Sequence, residues 1–172
     1  ADAPAGLTVS DLSLDSRTVE HDGLFLACAG RRTHGLATLD IALARGVRAI
    51  LWEPAPGIEP PAARAGVWMA PMHGLAHQAS AIADRFFGAP SAALSITGVT
   101  GTNGKTTVAW LLGQALDALR SLRDHAGGCI YVGTLGVGTP PDHVIAGEYT
   151  TADAVTLQRQ LATARAAGAS AV

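Results

Sequence analysis

The sequence predicts an α/β protein: a small mixed α/β domain over residues 1–88, followed by the start of a parallel-sheet domain with a phosphate-binding loop (P-loop) over residues 89–172. Short apolar runs alternate with helical patterns along the whole chain, which is typical of this fold class. A helix-stop glycine and a proline lie together at 88–91, and a glycine-rich segment with a lysine separates a strand pattern from a helix pattern. We therefore expect one complete domain and a second that the chain holds only in part.

The first domain is predicted to alternate strands with helices. Its clearest strand is the apolar run 24–29, which glycines bound on both sides. Gly46 ends a helical pattern, and prolines between residues 54 and 61 predict a surface loop because proline can neither donate to a ladder nor continue a helix. The predicted strands lie at 12–14, 24–29, 47–52 and 67–69, and the predicted helices at 36–45 and 72–87.

The second domain restarts as a strand–helix–strand unit. Residues 94–99 are a strand candidate, apolar spacing predicts a helix over 105–119, and residues 129–132 form the next strand. Glycines at 133, 136 and 138 predict a connection that leads to a helix at about 153–167, and residues 169–172 open another strand. Because an open parallel sheet is not expected to stop there, we expect the chain to be cut within this domain.

Composition and charge exclude several classes of function. With 12 basic and 14 acidic residues the net charge is −2, so no broad positive field predicts a nucleic-acid partner. The start of the chain lacks the pattern of a signal peptide, and no run reaches the roughly 18 apolar residues of a membrane span. Cys28 and Cys129 lack metal-ligand spacing and suit reduced, buried thiols. We expect a cytoplasmic monomer that contacts no membrane.

The segment from Gly98 to Thr107 carries the strongest chemical signal. Glycines between a strand and a helix let successive N–H groups converge on an anion, and a lysine ammonium reaches nucleotide phosphates. Lys105 is the single lysine among the 12 basic residues, and the Thr106 hydroxyl directly after it can bind Mg²⁺. The strict G-x-x-x-x-G-K-[ST] spacing fails, because Val99 stands five residues before Gly104. The alternative is a strand–helix turn that binds no ligand; nucleotide binding is the prediction.

The segment 100–107 (TGTNGKTT) resembles the ATP loop of the Mur ligases, the ATP-dependent ligases of peptidoglycan-precursor synthesis. Three further segments, LDSR at 14–17 with DGLF at 22–25, GTLG at 133–136 and YTT at 149–151, are similar to the branch of that family that adds the third amino acid. The resemblance implies an N-terminal domain that binds the UDP-muramoyl substrate, followed along the chain by a P-loop ATPase domain. It also implies a ligase that joins a diamino acid to UDP-MurNAc-L-Ala-D-Glu through an acyl phosphate, with meso-diaminopimelate as the first candidate and L-lysine as the alternative that the sequence leaves open.

The resemblance also implies site residues. ATP would bind to Gly101, Thr102, Asn103, Gly104, Lys105, Thr106 and Thr107, with Lys105 and Thr106 catalytic and Thr106 holding Mg²⁺. The UDP group would contact Leu14, Ser16, Arg31, Arg32 and Thr33, while Thr150 and Thr151 would orient the acceptor. From the residues alone, the segment 15–17 is a turn or a cap, the two arginines belong to a solvated loop, and Thr151 or Asp153 is a helix cap.

Two departures from the family pattern, His34 before Gly35 and Tyr149 before the threonine pair, leave the contacts at those places open. The resemblance places an acidic Mg²⁺ ligand, a carbamylated lysine and the amino-acid pocket beyond Val172, so we expect this chain alone to be inactive. Three other functions remain: another Mur ligase, a folylpolyglutamate synthetase, or a non-catalytic nucleotide-binding module whose state a partner reads.

Overall fold

The computed structural model describes residues 3–30, 33–122, 127–146 and 152–172, without the side chains of residues 120 and 121. The chain divides into two compact units, Ala1–Ala83 and Asp84–Val172, and each is described here by itself. The domain boundary predicted after residue 88 lies a few residues into the second unit. Within the described residues no helix is long and apolar enough to span a membrane.

The first unit is built on a parallel sheet whose four strands lie side by side in chain order. The register places Phe25 beside Ile50 and Ile50 beside Met69. The predicted helix at 36–45 begins instead as a 3-10 turn, Gly35–Thr38. The elements are β1 (Leu12–Ser13), β2 (Leu24–Ala27), α1 (Leu39–Ala44), β3 (Ala49–Trp52), β4 (Trp68–Pro71) and α2 (Leu75–Phe86). The predicted α/β class and all four strand positions are confirmed.

The core of the first unit lies between this sheet and its helices. Phe25 is 1% exposed and packs with the other buried members of one apolar cluster. Helix α1 contributes Ala42 to this cluster, and a small side chain there lets the helix approach the sheet closely. The cluster consists of Val19, Phe25, Ala27, Ala42, Val47, Ile50 and Trp52.

The second unit contains the predicted strand–helix–strand arrangement. Ser95 and Cys129 each pair in parallel with Ala171, so residues 170–172 lie between the other two strands. Backbone hydrogen bonds join residues 95–97 to residues 170–172, since the Ser95 N–H donates to the Ser170 carbonyl oxygen at 3.0 Å and the Thr97 N–H donates to that of Val172 at 2.9 Å. The helices are α3 (Lys105–Leu122) and α4 (Ala154–Ala166), and a 3-10 turn spans Pro90–Ala93.

The predicted connection at residues 133–138 was wrong, because this segment is part of a three-stranded antiparallel sheet. Its strands are β5 (Tyr131–Gly133), β6 (Gly136–Thr139) and β7 (His143–Ile145). Gly136 and Gly138 have φ values of 124° and 149°, and a Cβ on either would overlap the carbonyl oxygen of the facing strand. Glycine is therefore required at these two positions because the facing strand lies too close for a side chain. In a sequence pattern, by contrast, glycine usually indicates a break in a strand.

Asp153 caps helix α4, one of the two capping residues that the sequence offered. Its Oδ1 accepts from the N–H groups of Val155 at 2.8 Å and Thr156 at 3.0 Å, and its Oδ2 accepts from the Thr156 hydroxyl. We expect Asp153→Ala to lower the free energy of unfolding of the second unit by about 1 kcal/mol. Urea denaturation followed by circular dichroism measures this. Asp153→Asn keeps a capping oxygen, so it should lower the free energy of unfolding by less than Asp153→Ala. An equal decrease in both variants would contradict the capping role.

Candidate functional site

The glycine-rich segment 98–104 joins the paired strand at residues 95–97 to helix α3 and is largely exposed to solvent. Gly101 and Gly104 have φ values of 145° and 76°, a region that residues with side chains rarely adopt. A Cβ on Gly104 would meet nothing within 4 Å, so glycine is needed there for backbone conformation rather than for space. A backbone that turns in this way can direct successive N–H groups toward one anion.

Lys105 is the first residue of α3, and its side chain turns back over the loop. The ammonium Nζ donates hydrogen bonds to the carbonyl oxygens of Gly101 at 2.6 Å and Thr102 at 3.4 Å. The N-terminus of an 18-residue helix adds partial positive charge at the same place. Loop amides, helix N-terminus and ammonium together form the arrangement that binds nucleotide phosphates.

The hydroxyl of Thr106 lies 3.0 Å from the hydroxyl of Thr134, which belongs to the turn between β5 and β6. A threonine hydroxyl can supply one oxygen ligand to Mg²⁺ where nucleotide phosphates supply others, and among the described residues no cluster of three His, Cys, Asp or Glu side chains could hold a metal ion by itself. Thr134 belongs to the GTLG segment that resembles the family, and no role was predicted for it. The proximity of Thr134 to Thr106 depends on the pairing of β5 with β6. This pairing was not predicted, because the glycines of the segment indicated a connection instead of strands.

A cavity of about 600 Å³ opens beside the phosphate loop within the second unit. Its wall is largely apolar, with Leu112 of α3 and Leu161 of α4 among the lining side chains. The polar side chains on it include Lys105, Thr106, Thr134 and Gln158. A concave apolar site with a few polar groups is the usual form of a small-molecule site.

The predicted substrate residues of the first unit lie where β1 and β2 end. Because β1 and β2 are parallel, Leu14, Ser16 and Thr33 follow the same edge of the sheet, where ligands commonly bind in open α/β folds. Ser16 is 3% exposed, Leu14 is half-buried and Thr33 is exposed. Arg31, Arg32, Thr150 and Thr151 lie outside the described residues.

The segment after β1 is a tight turn, as the alternative interpretation of its sequence proposed. The Arg17 guanidinium donates to both carboxylate oxygens of Asp15, at 2.7 to 3.2 Å, and the Arg17 N–H donates to Oδ1 at 2.9 Å. These hydrogen bonds lower the pKa of Asp15. In this turn the charges of Asp15 and Arg17 therefore compensate each other, next to the buried Ser16.

His34, one of the two departures from the family pattern, caps the 3-10 turn at Gly35–Thr38. Its Nδ1 accepts from the Leu36 N–H at 3.0 Å, and its Nε2 lies 2.8 Å from the carbonyl oxygen of Glu53. The Glu53 carboxylate accepts from the N–H of Ala29 at 2.9 Å and from that of Ala76 at 3.3 Å. Glu53, which sequence analysis missed, thus ties the segment after β2 to the segment after β3.

Cys28 is expected to be an unreactive thiol. Burial, with a smaller effect of the nearby Glu53 carboxylate, raises the pKa of Cys28 to about 12. At pH 8 the thiolate fraction is then about three orders of magnitude below that of an ordinary thiol, and the reaction with a disulfide reagent should slow about 10²- to 10³-fold. The unfolded chain, in which both cysteines react, is the control. A fast phase of one thiol in the native protein would contradict this prediction.

Comparison with known proteins agrees with this geometry. Residues 99–172 match the Mur ligase middle domain. Over 170 residues and 99% of its length, the chain is 46% identical to the UDP-N-acetylmuramoyl-L-alanyl-D-glutamate–2,6-diaminopimelate ligase of Ectopseudomonas mendocina and 44% identical to that of Pseudomonas aeruginosa. It covers 33% of each of these proteins, so it spans about a third of the length of the curated relatives it matches.

A solved structure of a ligase with the same name superposes on 95% of this chain with a TM-score of 0.66 and 30% sequence identity. The chain covers 31% of that structure. The match to the middle domain includes Lys105 and Thr106, and the longer relatives align with the first unit as well. The chain is therefore similar over nearly its whole length to ligases of the Mur family, and its residues 99–172 match the middle domain of that family.

Proposed function

We propose that this chain supplies the ATP-binding and acceptor-binding parts of a ligase that adds meso-diaminopimelate to UDP-MurNAc-L-Ala-D-Glu. The observation that carries the proposal is the Lys105 ammonium, held over a glycine loop at the start of α3 and beside the cavity. The 46% identity to a ligase of that name supports the choice of substrates.

In the proposed reaction the D-Glu side-chain carboxylate attacks the γ-phosphate of ATP, which gives an acyl phosphate and releases ADP. The amine of the diamino acid then attacks the acyl phosphate, forms the amide bond and releases inorganic phosphate. For such a transfer a protein contributes chiefly positioning and charge neutralisation. Lys105 would neutralise charge on the phosphates, together with the loop amides from Gly101 to Gly104 and the flanking Thr107. The Thr106 hydroxyl, oriented by Thr134, would hold Mg²⁺.

The first unit would hold the UDP end of the acceptor at the edge where β1 and β2 end. Leu14, Ser16 and Thr33 follow these two strands, and the charges of Arg31 and Arg32 suit a pyrophosphate. Thr150 and Thr151, just before α4, would orient the peptide end. The net charge of −2 provides no broad positive field, which supports an enzyme without a nucleic-acid partner. We also propose that the enzyme is cytoplasmic and monomeric.

Phosphate release by the full-length gene product tests this function. Release should require ATP, UDP-MurNAc-L-Ala-D-Glu and diaminopimelate together, with stoichiometric formation of the tripeptide product. L-Lysine in place of diaminopimelate tests the choice of diamino acid, and a folate acceptor tests the folylpolyglutamate alternative. Hydrolysis of ATP that is independent of any acceptor would instead indicate a nucleotide-dependent binding module and would overturn the proposal.

A further inference from the structure

Glu53 places a carboxylate at the edge of the first sheet that is proposed to receive the UDP end of the acceptor. It follows β3 directly, next to the loop that leaves the neighbouring strand β2. A negative side chain close to the place of a diphosphate repels that ligand unless other donors use its charge. The hydrogen bonds of Glu53 therefore decide what it contributes to this edge.

The carboxylate joins two segments of the first unit. Its Oε2 accepts from the N–H of Ala29 at 2.9 Å, in the loop after β2 (residues 28–35, the β2 loop), and from the N–H of Ala76 at 3.3 Å. Ala76 is the second residue of α2, where N–H groups have no partner within the helix and a negative charge is favourable. One oxygen atom thus links the β2 loop to the first turn of α2, and its two donors use the charge.

The two ends of the β2 loop lie together. The Gly35 N–H donates to the carbonyl oxygen of Cys28 at 2.8 Å, and Ala29 forms an antiparallel bridge with His34. Thr33, one of the predicted UDP contacts, stands directly before His34 and is exposed to solvent. A contact that holds Ala29 therefore also holds the end of the loop from which Thr33 projects.

The backbone of residue 53 is held independently of its side chain. The Glu53 N–H donates to the carbonyl oxygen of Ala27 at 3.1 Å, and the Glu53 carbonyl oxygen lies 2.8 Å from Nε2 of His34. Neither contact uses the carboxylate. A change of this side chain should therefore remove the link through Oε2 and leave β3 paired with β2.

Such a link affects binding at the edge without contact with the ligand. Because the four strands are parallel, Ser16, Thr33 and Glu53 follow the same edge of the sheet, where ligands of open α/β folds bind. A ligand that must order a loop loses part of its affinity, whereas a loop that is already held in place costs the ligand nothing. Glu53 holds the β2 loop before the ligand arrives.

We propose that Glu53 is a positioning residue, whose carboxylate fixes the β2 loop to the first turn of α2 and so holds Thr33 in place for the UDP end of the acceptor. This inference rests on the proposed function. It separates Glu53, which acts through the loop, from the residues that contact the acceptor.

Glu53→Ala in the full-length gene product tests the proposal. KM for UDP-MurNAc-L-Ala-D-Glu should rise about tenfold, the effect of one lost charge-assisted hydrogen bond, while kcat and KM for ATP stay within about twofold. The dissociation constant of that acceptor, measured by calorimetry without turnover, should rise equally. Glu53→Gln keeps an acceptor oxygen at the same reach, so its KM should stay within about threefold of the wild type.

Hydrogen exchange measures the link itself, because it needs no substrate. By mass spectrometry, peptides that contain Ala29 or Ala76 should exchange at least about tenfold faster at those amides in Glu53→Ala, and close to the wild-type rate in Glu53→Gln. Glu59→Ala is the matched control. It removes another carboxylate of the first unit, on an exposed residue, and should leave exchange and all kinetic constants unchanged.

Three results would overturn the proposal. The first is an unchanged KM for the acceptor or unchanged exchange at Ala29 in Glu53→Ala. The second is a fall in kcat together with a rise in both KM values, which indicates a general loss of structure. The third is a tenfold rise of the acceptor KM in Glu53→Gln while exchange at Ala29 stays slow. If the wild-type gene product shows no acceptor-dependent phosphate release, the proposed function itself fails and this inference fails with it.

Discussion

Lys105→Ala should lower kcat/KM for ATP-dependent ligation by the full-length gene product at least 10²- to 10³-fold, the cost of removing one preorganised charge from a phosphoryl-transfer site. The structure gives the reason, since this ammonium lies over the glycine loop within 3.4 Å of two of its carbonyl oxygens. Lys105 is also the single lysine among the 12 basic residues of this chain. Coupled measurement of ADP release gives the rate.

The controls separate loss of charge from loss of fold. Lys105 is exposed and its hydrogen bonds are confined to the loop, so Lys105→Ala should keep the wild-type melting temperature. Arg48→Ala removes another partly exposed cation, whose ion pair with Asp22 is 4.0 Å long, and should keep wild-type turnover. Turnover by Lys105→Ala within tenfold of the wild type would refute the assignment of the phosphate loop.

Phe25→Ala should destabilise the first unit by about 3–5 kcal/mol, because it removes a fully buried ring and leaves a cavity. Phe25 is 1% exposed in the centre of the core cluster. Trp52 and Trp68 both belong to this unit, so urea unfolding followed by fluorescence in a Trp110→Phe background reports on it alone. A loss of this size is a large fraction of the stability of a small domain.

Ile41→Ala is the matched control for this core substitution. Ile41 lies on α1 but is 44% exposed, so its replacement should cost much less than that of Phe25. Similar losses in the two variants would mean that the core of the first unit is not centred on the described cluster.

Helices and parallel strands could be predicted from the sequence because each carries a local pattern. Helix α4 was predicted at 153–167 and spans Ala154–Ala166, and α3 was predicted to begin at the residue where it begins, Lys105. The phosphate loop was equally local, because glycines, lysine and threonine follow one another in the chain. Apolar periodicity and cap residues act over a few neighbours, and a sequence displays them directly.

The parts of the site that were missed depend on contacts between distant residues. The Glu53 carboxylate accepts hydrogen bonds from the backbone N–H groups of Ala29 and Ala76. The Thr134 hydroxyl lies within hydrogen-bond distance of the Thr106 hydroxyl. The partners in each of these contacts are far apart in the chain. The role of a side chain in such a place is set by its neighbours in space.

The position of residues 170–172 between two earlier strands has a consequence for how the second unit forms. Ser95 and Cys129 share Ala171 as a partner, so the parallel ladder closes only through contacts of long sequence separation. Each such contact must overcome the entropy of closing a long loop before it contributes, and high contact order slows folding. During synthesis, the strands of the first unit emerge in the order in which they pair, whereas the earlier strands of the second unit must wait for their common neighbour. The second unit is therefore expected to fold later and to spend longer exposed to aggregation and to chaperones.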